Sequence, residues 1–186
     1  MNPVRSFIAL NIENPEINRL RIIQERVKSE LTDYKVKWEN PFKFHLTLRF
    51  LGDVEEKLLS GISTELGSIE AGFDNIILST DGIGFFPDKK HPNVVFINFT
   101  DTDSRAAFIA EEIEKKLKIS GFKPEKKFIP HITLGRFRRD NKKRIEDNFK
   151  IDVEPFQIIL SSFYMMKSVL KPSGSVYEVL KEYKFK

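Results

Sequence analysis

The sequence of 186 residues predicts one α+β domain of two related lobes, a pseudo-two-fold duplication. Short apolar strands alternate with long amphipathic segments along the chain, and no Gly/Ser-rich or Pro-rich linker divides them. The sequence His-Leu-Thr-Leu at 45–48 returns in the second half as His-Ile-Thr-Leu at 131–134, and an Arg-Phe pair follows each copy. We therefore expect each lobe to contribute one such strand and one long helix.

The first half of the chain is predicted to alternate between strands and helices. Strands are predicted at Val4–Ile12, Lys35–Trp38 and Lys43–Leu51. A helix is predicted over 14–31, because Pro15 suits a first helical turn and apolar residues then recur every three or four positions. A second helix, Val54–Ile69, follows Gly52, and Asp53 is expected to cap it.

The second half is predicted to contain more strands. They are Phe73–Phe85, Val94–Phe99, Phe128–Phe137, Pro155–Val169 and Val176–Phe185. The first of these is a strand pair or one bent strand, because Gly82 and Gly84 interrupt it, and a turn at 172–174 joins the last two. Helices are predicted at Arg105–Ile119, which Gly121 ends, and at the short, highly charged segment Asp140–Asn148.

The composition favours a cytoplasmic protein. The chain has no cysteine, which suits a reducing compartment and excludes thiol nucleophiles and cysteine-bound metal centres. Its apolar runs are too short for a membrane span, and the start of the chain is predicted to form a strand rather than a signal peptide. The net charge of +4 is compatible with RNA as a partner, and we expect no membrane partner and no obligatory protein partner.

The His-x-Thr-x pattern places an imidazole and a hydroxyl on the same face of each strand, because side chains alternate along a strand. Two histidines that face one cleft can divide acid–base catalysis, with one neutral ring accepting a proton and one protonated ring donating. This division suits displacement at phosphorus, with His45 and His131 on opposite sides of the phosphate. Thr47 and Thr133 would then donate hydrogen bonds to the phosphate oxygens.

Arg49 and Arg136 are the nearest guanidinium groups to the repeated motif and are the further candidates for phosphate binding. Strict alternation turns Arg49 toward the face that carries Thr47. The same rule turns Arg136 away from His131, unless a bulge or strand end at Gly135 turns it back.

Other site chemistries have little support in the sequence. There is no Gly-rich phosphate loop and no G-x-S-x-G motif. A zinc site would need both motif histidines and a third ligand such as His91 or a carboxylate. Threonine stands where a His-x-His pair would have its second ligand, so we expect no metal and no other cofactor. Trp38, Phe85 and Phe86 are candidates for stacking on a base.

The paired His-x-Thr-x motifs resemble those of the two-histidine (2H) phosphoesterase superfamily. The sequences FIALNI at 7–12, LRFLGD at 48–53 and GIGFFP at 82–87 are similar to its bacterial and archaeal 2′-5′ RNA ligase branch, also called RNA 2′,3′-cyclic phosphodiesterase. The resemblance implies two antiparallel β-sheets that line a central cleft, with helices outside and one motif on each side. It also implies hydrolysis of a terminal 2′,3′-cyclic phosphate to a 2′-phosphomonoester without metal or ATP.

The resemblance also implies roles for the site residues. His45 would be the proton donor and His131 the proton acceptor, while Thr47, Thr133 and Arg136 would bind the phosphate. The partner would be an RNA with a 2′,3′-cyclic phosphate end or a cyclic nucleotide, and the reverse reaction would form a 2′-5′ linkage. Two alternatives stay open: a non-catalytic RNA-end-binding protein, and a related phosphodiesterase for another small cyclic phosphate or a 2′-5′ oligonucleotide.

Overall fold

The computed structural model describes residues 3–69, 71–141, 143–172 and 174–185. These residues form nine β-strands, three α-helices and one 3₁₀ turn, in agreement with the predicted α+β class. The strands are β1 (Val4–Asn11), β2 (Val36–Trp38), β3 (His45–Val54), β4 (Ile76–Phe86), β5 (Val94–Thr100), β6 (His131–Phe137), β7 (Gln157–Leu160), β8 (Ser162–Lys171) and β9 (Gly174–Lys184). The helices are α1 (Asn14–Glu30), α2 (Glu56–Leu66) and α3 (Arg105–Ile119), and the 3₁₀ turn is Pro41–Lys43.

All of the described strands belong to one antiparallel sheet, in the order β7-β4-β5-β6-β3-β1-β8-β9, with β2 paired to β6. The expected arrangement of two separate sheets therefore needs correction. The motif strands β3 and β6 join the two halves of the sheet through a single pair, Leu46 opposite Ile132. Because this narrow connection lies inside both motifs, it brings the two His-Thr pairs next to each other.

The helices and the sheet share one apolar core. The predicted stripe of α1 is buried, and so are the aliphatic residues between and beside the motif histidines and threonines; these residues are Ile17, Leu20, Ile23, Val27, Leu46, Leu48, Ile132 and Leu134. Burying each such side chain contributes about 1.5–3 kcal/mol. Within the described ranges, no helix has the length and apolar character needed to cross a membrane.

The helix ends differ in how well the sequence predicted them. Helix α3 spans the predicted range, the carboxylate of Asp101 accepts the backbone N–H of Ala107 in its first turn, and Gly121 follows its end with φ of +85°. The predicted cap of α2 is wrong. Strand β3 continues through Asp53 to Val54, and α2 begins at Glu56 without a side-chain cap.

Of two predicted strands, one is confirmed in its bent form and one divides. The segment 73–85 contains one strand, β4, rather than a strand pair, and its register with β5 shifts between Thr80 and Ile83, where Gly82 has φ of +78°. The predicted strand Pro155–Val169 divides at Ser161 into β7 and β8, which lie at opposite parts of the sheet. Ser173, in the predicted turn at 172–174, lies outside the described residues.

The charged segment predicted as the helix Asp140–Asn148 is irregular in its described residues, and Lys142 is not among these. Its backbone bonds to the loop after β4 instead of to itself. The N–H of Ile145 donates to the carbonyl oxygen of Lys89, and Lys89 Nζ donates to the carbonyl oxygens of Asp147 and Phe149. Because Ile145 is buried, packing outweighs the weak helix tendency of a short polar segment.

Candidate active site

The two motif strands expose their histidines and threonines to one small cavity. Along each strand the burial alternates in the same way, with both His and Thr half-buried and the aliphatic residues between them buried. The cavity has a volume of about 210 Å³. Its lining contains the predicted residues His45, Thr47, His131, Thr133 and Arg136, together with Glu39, Lys43, Phe50, Phe86, Val94 and Tyr177.

Backbone hydrogen bonds fix the orientation of both imidazole rings. His45 Nδ1 lies 2.7 Å from the carbonyl oxygen of Lys43, and His131 Nδ1 lies 2.8 Å from that of Ile129. Because a carbonyl oxygen only accepts, Nδ1 carries the proton in both rings. This leaves Nε2 of each ring as the nitrogen that can exchange a proton with a substrate.

The surroundings of the rings favour their neutral forms. Burial lowers the pKa of His45 and of His131 below the ordinary value of 6.5, although the bonds to backbone carbonyls oppose this effect. The nearby charge of Arg136 lowers both pKa values further, and that of His131 adds to the lowering for His45. An anionic phosphate in the cavity would counter this effect and favour protonation.

Aromatic side chains pack against the imidazole rings of His45 and His131. His45 contacts Phe7 and Tyr177, with centroid distances of 4.9 and 5.2 Å, and these two rings also contact each other. The ring of His131 contacts Phe86 and Phe96, with centroid distances of 4.9 and 5.2 Å. Rings fixed on several sides lose little conformational entropy when a substrate binds.

The base-stacking candidates have different surroundings. Phe86 lines the cavity, and Trp38 lines a groove beside it. Phe85 is buried and packs against Phe137 and Phe149, so the proposal that it stacks on a base is wrong. The reason is alternation, because neighbouring residues of β4 face opposite sides of the sheet.

A β-bulge turns Arg136 toward the cavity. On β5, the neighbours Val95 and Phe96 pair with Gly135 and Thr133, so Leu134 is an extra residue in β6. The bulge reverses the alternation of side chains after Thr133, so Arg136 lies on the same face of the strand as His131 and lines the cavity. Its Nε is 3.7 Å from a carboxylate oxygen of Glu39.

The bulge depends on glycine at its centre. A Cβ on Gly135 would lie 2.7 Å from Val36 Cγ1 and 2.9 Å from Trp38 Cε3, both on β2. The buried Gln24 of α1 donates from Nε2 to the carbonyl oxygen of Leu134 at 2.8 Å. Glycine thus lets β2 approach, and Gln24 satisfies a backbone group of the bulge.

The prediction that Arg49 faces the phosphate is wrong. Strand β3 has the equivalent bulge, since Ile8 pairs with Arg49 while the next residue of β1 pairs with Thr47. The guanidinium therefore turns to the buried face. There it forms ion pairs with Glu114 and, at 2.9 Å, with Glu125, and it donates to the carbonyl oxygens of Phe50 and Lys123. Strict alternation failed because the bulge cannot be read from one strand alone.

The chain matches the family profile described as LigT like Phosphoesterase over residues 11–96 and 100–177. The chain belongs to this family. It is 35% identical to an RNA 2′,3′-cyclic phosphodiesterase of Thermotoga maritima, with 98% of this chain and 96% of the relative covered. It is 30% identical to a protein of the same name from Methanocaldococcus jannaschii, with 97% and 100% covered.

Two solved structures have the same fold as this chain. Escherichia coli LigT complexed with 3′-AMP superposes with a TM-score of 0.76 at 23% identity, with 99% of both chains covered. The protein TT0787 of Thermus thermophilus gives a TM-score of 0.71 at 24% identity, with 97% of both chains covered. The family profile and the curated relatives confirm the family expected from the paired motifs, and the solved structures agree in fold.

Five residues of this LigT-like phosphoesterase line the cavity without having been predicted: Glu39, Lys43, Phe50, Val94 and Tyr177. Lys43 could have been found, because it lies two positions before His45 and shares its face. Tyr177 lies on β9, and its place depends on the pairing of β8 with β9.

The remaining metal-ligand candidate, His91, is exposed on a loop, with Nδ1 3.8 Å from a carboxylate oxygen of Asp88. It is absent from the cavity lining. In the part of the chain that the structure describes, no three His, Cys, Asp or Glu residues form a group suited to a metal ion.

Proposed function

We propose that this LigT-like phosphoesterase is an RNA 2′,3′-cyclic phosphodiesterase that hydrolyses terminal 2′,3′-cyclic phosphates to 2′-phosphomonoesters without a metal ion. The observation that carries the proposal is the shared cavity of both motif histidines, both motif threonines and one guanidinium. The relatives in Thermotoga maritima and Methanocaldococcus jannaschii bear the name of this activity, which supports the substrate class.

The two histidines divide the proton transfers. His131 accepts a proton at Nε2 from the attacking water, and a new P–O bond forms. His45, protonated at Nε2, donates its proton to the 3′ oxygen as the P–O3′ bond breaks. The product keeps the phosphate on the 2′ oxygen. Exchange of protons with solvent restores the starting state, so the reaction consumes only water.

The remaining polar groups of the cavity bind the phosphate. The hydroxyls of Thr47 and Thr133 donate hydrogen bonds to the non-bridging oxygens, where negative charge increases in the transition state. The guanidinium of Arg136 supplies the positive charge. When the 5′-hydroxyl of a second RNA takes the place of water, the same steps form a 2′-5′ linkage, as a side reaction that succeeds when bound RNA aligns both ends.

The same proposal extends to the organisation of the chain. Residues 1–186 form a single catalytic domain of two lobes related by duplication, with one His-x-Thr-x motif on each side of the cleft. The matching burial along β3 and β6 and the matching bulges after both threonines support this relation. The lack of cysteine supports a cytoplasmic location.

Phosphorus NMR of the products tests the function. Uridine 2′,3′-cyclic phosphate, an RNA with a cyclic phosphate end and a 2′-5′ dinucleotide are each incubated with the enzyme in excess chelator. We expect both cyclic phosphates to give only 2′-phosphomonoesters. A product with the phosphate on the 3′ oxygen would contradict the assigned leaving group.

The other outcomes identify the alternatives. Salt-sensitive binding of RNA ends without any turnover would indicate a binding protein. Turnover of the 2′-5′ dinucleotide alone would indicate a related phosphodiesterase. Activity that disappears in chelator and returns with added metal would overturn the metal-independent mechanism.

A further inference from the structure

Two grooves adjoin the phosphate cavity, and each is lined by one of the two motif histidines. One groove, of about 600 Å³, is lined by His45 but not by His131. The other, of about 740 Å³, is lined by His131 but not by His45. Phe50 borders both grooves. The cleft therefore distinguishes the side of one histidine from the side of the other.

The groove beside His45 is basic. Its described lining includes Arg5, Lys37, Lys43 and Arg136, against one carboxylate, Glu39. In the described ranges neither Lys37 nor Lys43 forms an ion pair within 4.0 Å, so both keep their charge for a ligand. We call this surface the basic groove.

The groove beside His131 has a different character. Half of its lining residues are apolar, including Phe86, Phe128 and Ile129. Its lining also contains Arg49, Lys126, Lys127 and Glu125, and because Arg49 forms ion pairs with Glu114 and Glu125, two lysines are left to face a ligand. We call this surface the apolar groove. Its excess of positive charge is smaller than that of the basic groove, where four cations stand against one carboxylate, so the basic groove attracts a phosphodiester backbone more strongly.

The stereochemistry of the reaction decides what each groove faces. In an in-line displacement the nucleophile and the leaving oxygen lie on opposite sides of the phosphorus. The ribose stays attached to the departing 3′ oxygen, so the nucleoside extends toward the proton donor, His45. Water or a 5′-hydroxyl approaches from the side of the proton acceptor, His131.

We propose that the RNA strand that ends in the cyclic phosphate lies in the basic groove, past Lys43 toward Lys37 and Arg5, and that the apolar groove is the nucleophile's side. This inference rests on the proposed function and its assignment of donor and acceptor. It gives the cleft a polarity: backbone phosphates upstream of the reacting end contact Lys37 and Arg5, whereas a mononucleotide does not reach them.

A comparison of two substrates tests the polarity. The values of kcat/KM for uridine 2′,3′-cyclic phosphate and for a short oligoribonucleotide with the same end are measured for each variant. We expect the double variant Arg5→Glu/Lys37→Glu to lower the ratio of oligonucleotide to mononucleotide activity by about tenfold or more. Both side chains are exposed, so the substitutions leave the core intact.

The salt dependence gives a second readout. Replacing Arg5 and Lys37 by glutamine should reduce the slope of log kcat/KM against log salt for the oligonucleotide by about 0.7 per lost phosphate contact. The matched control is Lys126→Glu/Lys127→Glu, which makes the same charge change at the apolar groove and should leave the substrate ratio within about twofold.

Each outcome has one interpretation. If the control pair lowers the ratio and the Arg5/Lys37 pair does not, the polarity is reversed and the inference is wrong. If neither pair changes the ratio while the wild-type enzyme hydrolyses both substrates, no RNA strand follows either groove. Wild-type enzyme that hydrolyses neither substrate contradicts the proposed function itself.

Discussion

The two motif strands have the same backbone but different residues at two decisive positions. Strands β3 and β6 share the burial sequence, the bulge after threonine and the bond from His Nδ1 to a carbonyl oxygen two residues before. Arg49 in β3 occupies the place of Gly135 in β6, and Phe50 occupies the place of Arg136. One scaffold thus carries the same acid–base group twice, but it brings only β6's guanidinium to the cavity.

In both strands the residue directly after the bulge, Arg49 or Gly135, faces the buried side of the sheet. The residue after that, Phe50 or Arg136, faces the cavity. A guanidinium on the buried face needs anions, which Glu114 and Glu125 provide in β3. Glycine at the same place in β6 instead lets β2 approach closely. The halves therefore stabilise the same bulge through an ion-pair network in one case and close packing in the other.

The largest expected effect concerns the histidines. His45→Ala and His131→Ala should each lower kcat/KM by about 10²–10⁴-fold, because each removes one proton transfer. Their pH profiles should differ. A donor must be protonated, so His45→Ala should remove the fall at high pH. An acceptor must be neutral, so His131→Ala should remove the fall at low pH.

The wild-type profile tests the lowered pKa values of both rings. Since kcat/KM reports the free enzyme, its optimum should lie on the acid side of pH 6.5. Loss of the same limb in both variants would contradict the division into donor and acceptor. Nearly full activity in either variant would remove that histidine from the mechanism.

The next prediction concerns the stability of the first bulge. Arg49→Leu should lower the free energy of unfolding by about 2–4 kcal/mol, because two carboxylates lose their partner and two carbonyl oxygens lose a donor. Urea unfolding measures this loss. Arg5→Leu, at an exposed arginine 4.0 Å from Asp53, is the control and should change stability by less than about 1 kcal/mol. Equal losses would contradict the network.

A smaller effect is expected from substitutions at Arg136 and at Phe50, which occupy equivalent positions in β6 and β3. Arg136→Gln should lower kcat/KM by about 10²-fold, because it removes the positive charge from the phosphate cavity. Its charge lowers both histidine pKa values, so both values should rise in the variant and the pH optimum should move upward. Phe50→Leu, at the equivalent position, should have a much weaker effect and leave the optimum in place. An unmoved optimum in Arg136→Gln would contradict the assigned contact.

The smallest expected effect concerns Gly135. Gly135→Ala should cost about 1–3 kcal/mol of stability, because the new methyl group would overlap Val36 and Trp38. The control is Gly61→Ala in α2, where a Cβ meets no atom within 4 Å and alanine should stabilise the helix by about 0.5–1 kcal/mol. Thermal unfolding of both variants checks the opposite signs. A stabilised Gly135→Ala would show that β2 is free to move away.

The sequence by itself determined the shared face of each His-Thr pair and the long helices. Alternation along a strand places His45 with Thr47, and the apolar spacing in α1 and α3 needs no knowledge of the neighbouring elements. These features are local, because they depend on the geometry of one element. The paired motif was also enough to indicate the family.

Only the tertiary structure decided which arginine faces the cavity, which aromatic rings enclose the histidines and how the two halves join. A bulge arises when one strand must match the register of its neighbours, so the directions of Arg49 and Arg136 depend on β1 and β5 rather than on their own sequence. The same holds for Tyr177, which reaches His45 because β9 pairs with β8 and β8 pairs with the distant strand β1. Packing between elements, rather than local propensity, fixed these positions.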